Sequence, residues 1–437
     1  MSRREPADDL SEREAPAGVE ASERSRRRRR RLLLAALFLL AFAVRLYAAA
    51  AYGAEPSADA ADYHRLAAGL AAGRGYAGEG GLPTAWRPPG YPAFLACVYA
   101  AAGPSVGAAS AVQAALGALT VLLLAAVGFA VAGRREGLLA GLLAAVYPGF
   151  FWLPRLLLSE NLALFLLLAA LWAAVALVAE WRAWRALLMG LLLGVGTLVR
   201  GPNVLFTAAL LSWVAVSFWR RGRGWGRAAA AAALAGAGFL AVMLPWAARN
   251  YHVFGRPVLV ATQDGMGLYA SFWPPQRNGR PVWGALPGAE DPAVAEAERA
   301  GDEVAVSRRL QQVAVERLRA HPGHFFRLIP SKLVSLAAPF DWETFPHPPG
   351  QTRSPNPVYA LALIPAMLGV LVLRRRRAPL RSLLWVAPAA VLAQALVTYG
   401  SPRFRLPAET SLLIWAAAAL VWAWDAKGAA WLGALRR

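Results

Sequence analysis

Asp59 and Asp62 stand three residues apart, within one helical turn, and run directly into Tyr63 and His64. They belong to the polar stretch PSADAADYHRLAAGLAAGRGYAGEGGLPTAWRPPGYPAFLA, residues 56–96. A carboxylate tuned by burial and neighbours can take a proton from an attacking hydroxyl or hold an amine. A third acid, Glu160, opens the apolar run in LLLSENLALFLLL. Basic counterparts recur near the ends of apolar segments: Arg87, Arg155, Arg200, Arg249 beside Asn250, and Arg403 with Arg405. A guanidinium grips phosphate through paired donors. Structural roles compete at each position. Asp59 can cap a helix and Asp62 can lie on a solvated face. Glu160 can favour a helix N-terminus, with Ser159 as its cap, and a single arginine can snorkel to lipid headgroups. Collected at one membrane face, these acids and arginines suggest a site for an anionic, lipid-linked molecule.

Other chemistries lack their residues. No glycine-rich Walker loop supports nucleotide-driven transport, and no Gly-x-Ser-x-Gly supports a hydrolase. His64, His252, His321, His324 and His347 are scattered, so no metal cluster is expected. Cys97 is the single cysteine, which rules out an intrachain disulfide.

The elements that must position these residues are membrane helices. Charged residues make up 16% of the 437-residue chain and hydrophobic ones 57%. A soluble domain carries about 25% charge. Mean hydropathy is +0.40. The apolar blocks are Leu- and Ala-rich without the alternation of barrel strands, so the class is an all-α polytopic membrane protein. The net charge of +20 does not indicate nucleic acid. Arginines cluster at 24–31, 133–136, 219–227 and 374–381, the pattern of cytoplasmic flanks. About ten spans are predicted, near 32–51, 106–131, 137–153, 161–180, 186–199, 203–218, 228–248, 357–373, 382–398 and 408–424. With the N-terminus inside, every arginine cluster falls in the cytoplasm. The first span reads as an uncleaved signal-anchor.

This divides the chain into a disordered basic tail (1–31) and an N-terminal transmembrane catalytic module (32–248) whose first outer loop is 52–105. A second outer loop (249–356) and the C-terminal helices with a short tail (357–437) follow. The first loop should fold two short helices, DAADYHRLAAGLAAG and RPPGYPAFLACVYAAAG. The second should lie in the interface, with Tyr91, Phe94 and Tyr99 at headgroup depth. In the second loop Val306, Leu310, Val313 and Leu318 share one helical face, and Pro322 should end that helix.

The chain resembles the bacterial GT-C glycosyltransferases of the family 39, PMT-like group, relatives of the protein O-mannosyltransferases and the lipid A aminoarabinose transferase. The resemblance is carried, in order, by DAADYHRLAAGLAAGRGY with RPPGYPAFLA, LLLSENL, GTLVRGPNVLF, PWAARNYHVFGRPVLVATQDGMGLYASF, HPGHFFRLIPSKL and RFRLPAETSLLIWAA. It implies a GT-C-like bundle with interfacial helices in the first outer loop. It implies a polyprenyl-phosphate sugar donor and an acceptor (lipid, glycan or protein) at the outer face of a bacterial inner membrane. By the same resemblance Asp59 matches the catalytic acid, Glu160 matches a second acid, and Arg403 and Arg405 are candidates for the donor phosphate. Asp62 is an extra acid, which leaves open which of the two aspartates is the base.

The expected reaction is sugar transfer with inversion, Asp59, Asp62 and Glu160 serving catalysis. Tyr63, His64, Arg87, Arg155, Arg200, Arg249, Asn250, Arg403 and Arg405 would bind donor or substrate. No cofactor is called for, with a divalent cation left open; the partners are the lipid-linked sugar, its acceptor and membrane lipids, not nucleic acid. Two other classes compete. A transporter or flippase for a polyprenyl-linked sugar would place ionisable residues mid-span, and the predicted spans hold almost none. A non-catalytic envelope scaffold would leave the lipid-linked sugar unchanged.

Overall fold

The computed structural model describes residues 17–53, 55–277, 280–299, 301–341, 354–378 and 380–435. Residues 1–16 of the expected tail and His347 lie outside these. Helix α1 (Ala17–Tyr52) already contains the arginine run at 24–31, so those residues extend the first helix instead of preceding it.

Two short helices, α2 (Asp59–Ala71) and α3 (Gly90–Ala102), follow α1. Then come α4 (Val106–Val131) and α5 (Arg134–Val146), the single turn α6 (Pro148–Phe151), α7 (Glu160–Ala179), α8 (Ala183–Val199), α9 (Asn203–Arg220) and α10 (Gly224–Phe254). The second long loop folds into α11 (Gln263–Phe272), α12 (Pro292–Glu298), α13 (Glu303–Ala320) and α14 (Pro322–Ala337). Helices α15 (Pro357–Arg375), α16 (Val386–Val397) and α17 (Leu406–Leu435) complete the bundle. Strand is confined to two antiparallel two-residue pairs among the described residues.

The chain is a multi-pass membrane protein. Seven helices are long and apolar enough to cross a bilayer, and eight if the pair Arg134–Val146 and Pro148–Arg155, bent by 61°, is one span. The ten expected spans include two that fall short of this length: α8, and the helix over 381–397, whose first turn is 3-10. Helix α7 is buried along most of its length and packs against α4 and α8. The bend after α5 opens that helix's terminal carbonyls. Arg45, buried inside α1, donates to two of them, Ala144 O at 3.2 Å and Ala145 O at 3.0 Å.

The two short helices of the first loop form where the sequence places them and pack on each other. Tyr91 and Tyr99 are not at a surface, however. Both are buried in protein, Tyr91 edge-on to Tyr63 and donating to Gln113 Oε1 at 3.1 Å. Gly90 permits the close approach of α3 to the end of α8, because a Cβ there would lie 2.8 Å from the Leu198 carbonyl carbon. In the second loop, α13 buries Leu310 and Val313 as its pattern predicts, and ends at His321 before Pro322. Asp302 caps it, accepting from the amides of Val304 and Ala305.

Candidate active site

The helix ends that carry the candidate residues converge. Asp59 begins α2, Glu160 begins α7, Arg200 follows α8, and Arg403 sits in the 3-10 turn Pro402–Arg405 before α17. Asp59 does not cap its helix. The preceding residue, Ala58, takes the cap position with φ of 48°, and no side chain caps there. The carboxylate is thereby left for other partners. Ser159 likewise makes no capping bond at α7.

These residues form one chain of alternating charge. Arg87 Nη2 donates to Asp59 Oδ1 at 2.7 Å and to Asp62 Oδ2 at 2.8 Å. Arg403 Nη1 donates to Asp59 Oδ2 at 3.1 Å, while its Nε donates to Glu160 Oε1. Arg200 Nη1 donates to the same Glu160 oxygen and lies over the Phe404 ring, 4.8 Å from its centroid. The order is thus Asp62, Arg87, Asp59, Arg403, Glu160, Arg200. At the Asp62 end, Arg65 takes the other carboxylate oxygen at 2.7 Å.

A cavity of about 1140 Å³ runs beside this chain. Asp59, Tyr63, Arg87, Arg200 and Arg403 line it; Asp62 and Glu160 do not. Its apolar wall includes Leu157, Leu158, Val199, Met243 and Val397. Burial acts to raise the Asp59 carboxyl, but Arg403 and Arg87 outweigh it and hold the group below the usual range. Tyr63 lies beneath Arg87, and burial chiefly raises its phenol, so it presents a neutral hydroxyl.

The remaining candidate arginines, Arg155, Arg249 and Arg405, are placed elsewhere and do not line the cavity. Arg405 is buried over the Tyr359 ring and donates to Glu409 at 2.5 Å and to the Ala338 carbonyl, so it ties α17 to the end of α14. Arg249 donates to the carbonyls of Thr84 at 2.8 Å and Tyr76 at 2.9 Å, and stacks on Trp246. It clamps the first loop onto α10. Asn250 accepts from Arg249 and donates to the Val258 carbonyl at 3.0 Å. Arg155 reaches the Tyr52 carbonyl at 3.5 Å beside Trp152. His64 pairs its Nδ1 with the Tyr99 hydroxyl at 2.8 Å, between α2 and α3.

The second long loop contributes residues that the sequence reading did not single out. Gln263 Oε1 accepts from Arg87 Nη1 at 2.7 Å. Glu303 accepts from the Thr84 hydroxyl at 2.7 Å and from the Ala85 amide, fastening α13 to the segment before Arg87. Asp264 faces the cavity. Desolvation pushes its carboxyl up to about 6, against an opposing backbone contact at Ala261. One sequence signal could have found it: it is an acid with no basic residue within four positions on either side.

The donor set does not fit a divalent cation. No three His, Cys, Asp or Glu side chains come together among the described residues. Asp59 and Glu160 are each already held by two guanidiniums.

Comparison with solved structures gives the fold. The archaeal oligosaccharyltransferase AglB from Archaeoglobus fulgidus, solved with an inhibitory peptide and a dolichol-phosphate, superposes with TM-score 0.55 at 14% identity, over 90% of this chain. This chain spans 50% of the length of that protein. A structure of the Archaeoglobus fulgidus oligosaccharyltransferase with Zn and sulfate gives TM-score 0.53 at 14% identity, covering 89% of this chain and 49% of that one. ArnT from Cupriavidus metallidurans, bound to undecaprenyl phosphate, gives TM-score 0.41 at 16% identity, covering 89% and 76%. No curated protein matches the sequence. The family model described as dolichyl-phosphate-mannose-protein mannosyltransferase matches residues 86–248, the stretch that holds Arg87, Glu160 and Arg200. Over residues 86–248 the chain is thus similar to the dolichyl-phosphate-mannose-protein mannosyltransferase family, and over most of its length it shares the fold of AglB.

Proposed function

We propose that the protein is an integral-membrane glycosyltransferase that moves a sugar from a polyprenyl phosphate to an acceptor hydroxyl. The observation that carries this reading is the ionic chain lying along a cavity with an apolar wall. Apolar surface suits a prenyl tail. Arg87, Arg200 and Arg403 on the same cavity suit its phosphate. AglB, which shares the fold, was solved with a dolichol-phosphate.

Asp59 is the base in this mechanism, since it lines the cavity and Asp62 does not. The acceptor oxygen attacks the anomeric carbon and gives its proton to Asp59. The bond from that carbon to the phosphate oxygen breaks, and its electron pair leaves on the phosphate, where the arginines stabilise the charge. Attack opposite the leaving group inverts the anomeric centre. Before donor arrives, Arg403 is engaged by Asp59 and Glu160. A phosphate that draws Arg403 toward itself weakens the hold on Asp59 and makes it a stronger base when it is needed. Glu160, buried behind Arg200 and Arg403, positions those two guanidiniums.

Counting α8 and the 381–397 helix as short, tilted spans restores ten crossings. The site then lies opposite the arginine-rich ends near Arg134, Arg220 and Arg375, on the outer face by the positive-inside rule. The test is transfer of radiolabelled sugar from polyprenyl phosphate in membranes containing the protein. Persistence of full transfer in Asp59→Asn would end the assignment of the base. Absence of any turnover by the unaltered protein, across mannosyl, glucosyl and aminoarabinosyl donors, would end the glycosyltransferase reading.

A further inference from the structure

The cavity has a second polar wall, chemically unlike the arginine cluster. Thr262, Gln263 and Asp264 enter it from the start of α11, and Ser307 and Gln311 from α13. The two helices meet closely because residue 265 is glycine; a Cβ there would collide with the Ser307 carbonyl. The start of α11 is held against the first loop, with the Thr262 amide donating to the Ala85 carbonyl at 2.9 Å.

Two groups on this wall have bonding capacity to spare. Asp264 presents its surface to the cavity; the backbone at Ala261 bonds it, and no cation pairs with it among the described residues. The Thr262 hydroxyl oxygen is buried with no hydrogen-bond partner among the described residues. A buried polar atom left unsatisfied is costly, and a ligand that satisfies it recovers that cost. Arg308 also lines this wall, but it is exposed and turned to the Pro257 carbonyl at 3.4 Å, not paired with Asp264. A carboxyl with no cation paired to it, a hydroxyl and amides form a set suited to a polyol, because each can exchange hydrogen bonds with neutral hydroxyls. A carboxylate spans a vicinal diol through its two oxygens. Its place also fits: the Asp264 carboxylate oxygens lie 3.7 and 3.8 Å from where a side chain would begin at Gly201, the residue after Arg200. A sugar attached to a phosphate held by Arg200 and Arg403 lies within reach of it.

We propose that Asp264, with Thr262, forms the subsite that binds the hydroxyls of the donor sugar and thereby selects it. This rests on the lipid-phosphate reading of the same cavity and adds the part of the donor that reading leaves unassigned. Asp264 touches the sugar away from the breaking bond, so it acts in recognition and not as the base.

The experiment uses the full chain in lipid nanodiscs and measures equilibrium binding of bare dolichyl phosphate and of dolichyl phosphate carrying mannose, glucose, galactose or 4-aminoarabinose. The unaltered protein should prefer one glycosylated lipid over the bare one. Loss of a charged hydrogen-bonding group costs roughly tenfold or more in affinity. Asp264→Ala should therefore weaken the preferred glycosylated lipid by about tenfold and leave bare dolichyl phosphate unchanged, with Thr262→Val giving a smaller loss of the same kind. Retained binding of the bare lipid shows that each variant is folded. The proposal is overturned if both lipids weaken equally, if neither changes, or if no sugar improves binding to the unaltered protein. Failure of the unaltered protein to bind even bare dolichyl phosphate removes the underlying reading as well, a result distinct from the others.

Discussion

Arg403 reaches Asp59 across 344 positions of chain, donating to it at 3.1 Å while a second nitrogen of the same guanidinium donates to Glu160. One side chain from the turn before the last helix therefore couples the acid of the first loop to the acid that begins α7. Removing Asp59's charge leaves this frame largely intact. Asp59→Asn should lower sugar transfer by about 100-fold or more, the usual worth of a positioned base. Binding of polyprenyl phosphate should persist. Asp62→Asn, which alters a group outside the cavity wall, should stay within about tenfold of the unaltered rate. Initial-rate assays in membranes, paired with lipid binding, distinguish the two; equal losses would contradict the assignment.

Arg403 itself should be less forgiving. Arg403→Ala leaves Glu160, buried among helix ends, with Arg200 alone. Breaking a buried pair from one side costs about 3–5 kcal/mol. The expected result is a clear drop in melting temperature together with loss of lipid-phosphate binding. Adding Glu160→Gln to Arg403→Ala should recover part of the stability but none of the binding. Recovery of both would remove Arg403 from the phosphate site.

Ala58 is held in a backbone region that residues with a Cβ rarely occupy. Glycine carries no such penalty, so Ala58→Gly should not destabilise the protein. Ala58→Val should cost roughly 1–3 kcal/mol, because a β-branched side chain is still less tolerant there. Chemical unfolding in detergent measures both. A neutral Ala58→Val would show that the turn before Asp59 is relaxed.

The Asp264 carboxyl predicts a pH signature. Its folded value, about 6, lies above the ordinary aspartate value of 3.8. The folded state therefore holds the proton more tightly than the unfolded chain. Below pH 3.8 Asp264 costs nothing. The cost grows as pH rises toward 6 and is constant above that. Asp264→Asn should consequently raise the melting temperature at pH 8 relative to the unaltered protein, with the gain shrinking toward pH 4.5. Asp59 has the opposite sign, since its lowered value adds stability that disappears as pH falls. A gain for Asp264→Asn that does not vary with pH would point to packing as its origin.

The sequence was most legible where periodicity and charge placement agree. The long apolar helices, the two short helices of the first loop and the inward face of α13 all follow from spacing. It was ambiguous where two like residues sit close together. Arg403 and Arg405 are two apart in a 3-10 turn, which rotates about 120° per residue, so they point to different sides. One enters the cavity and the other stacks on Tyr359. Asp59 and Asp62 are three apart on an α-helix and share a face, so both reach Arg87. Only their position along the helix separates them, and that depends on where α2 meets the cavity. Arg249 carries the same charge as Arg403, but aromatic neighbours and loop carbonyls occupy it. No local pattern distinguishes these uses of arginine, because each partner comes from a distant part of the chain.

The bond from Arg87 to Gln263 has a consequence for how such proteins can diversify. Arg87 holds Asp59, and Gln263 precedes Asp264 in the chain. Choice of sugar and placement of the proton acceptor therefore share one mechanical linkage. Grafting a foreign second outer loop to change the sugar would also shift Arg87, and activity would return only with compensating changes around residues 84–87. The two loops should be inherited as a matched set, not as interchangeable modules.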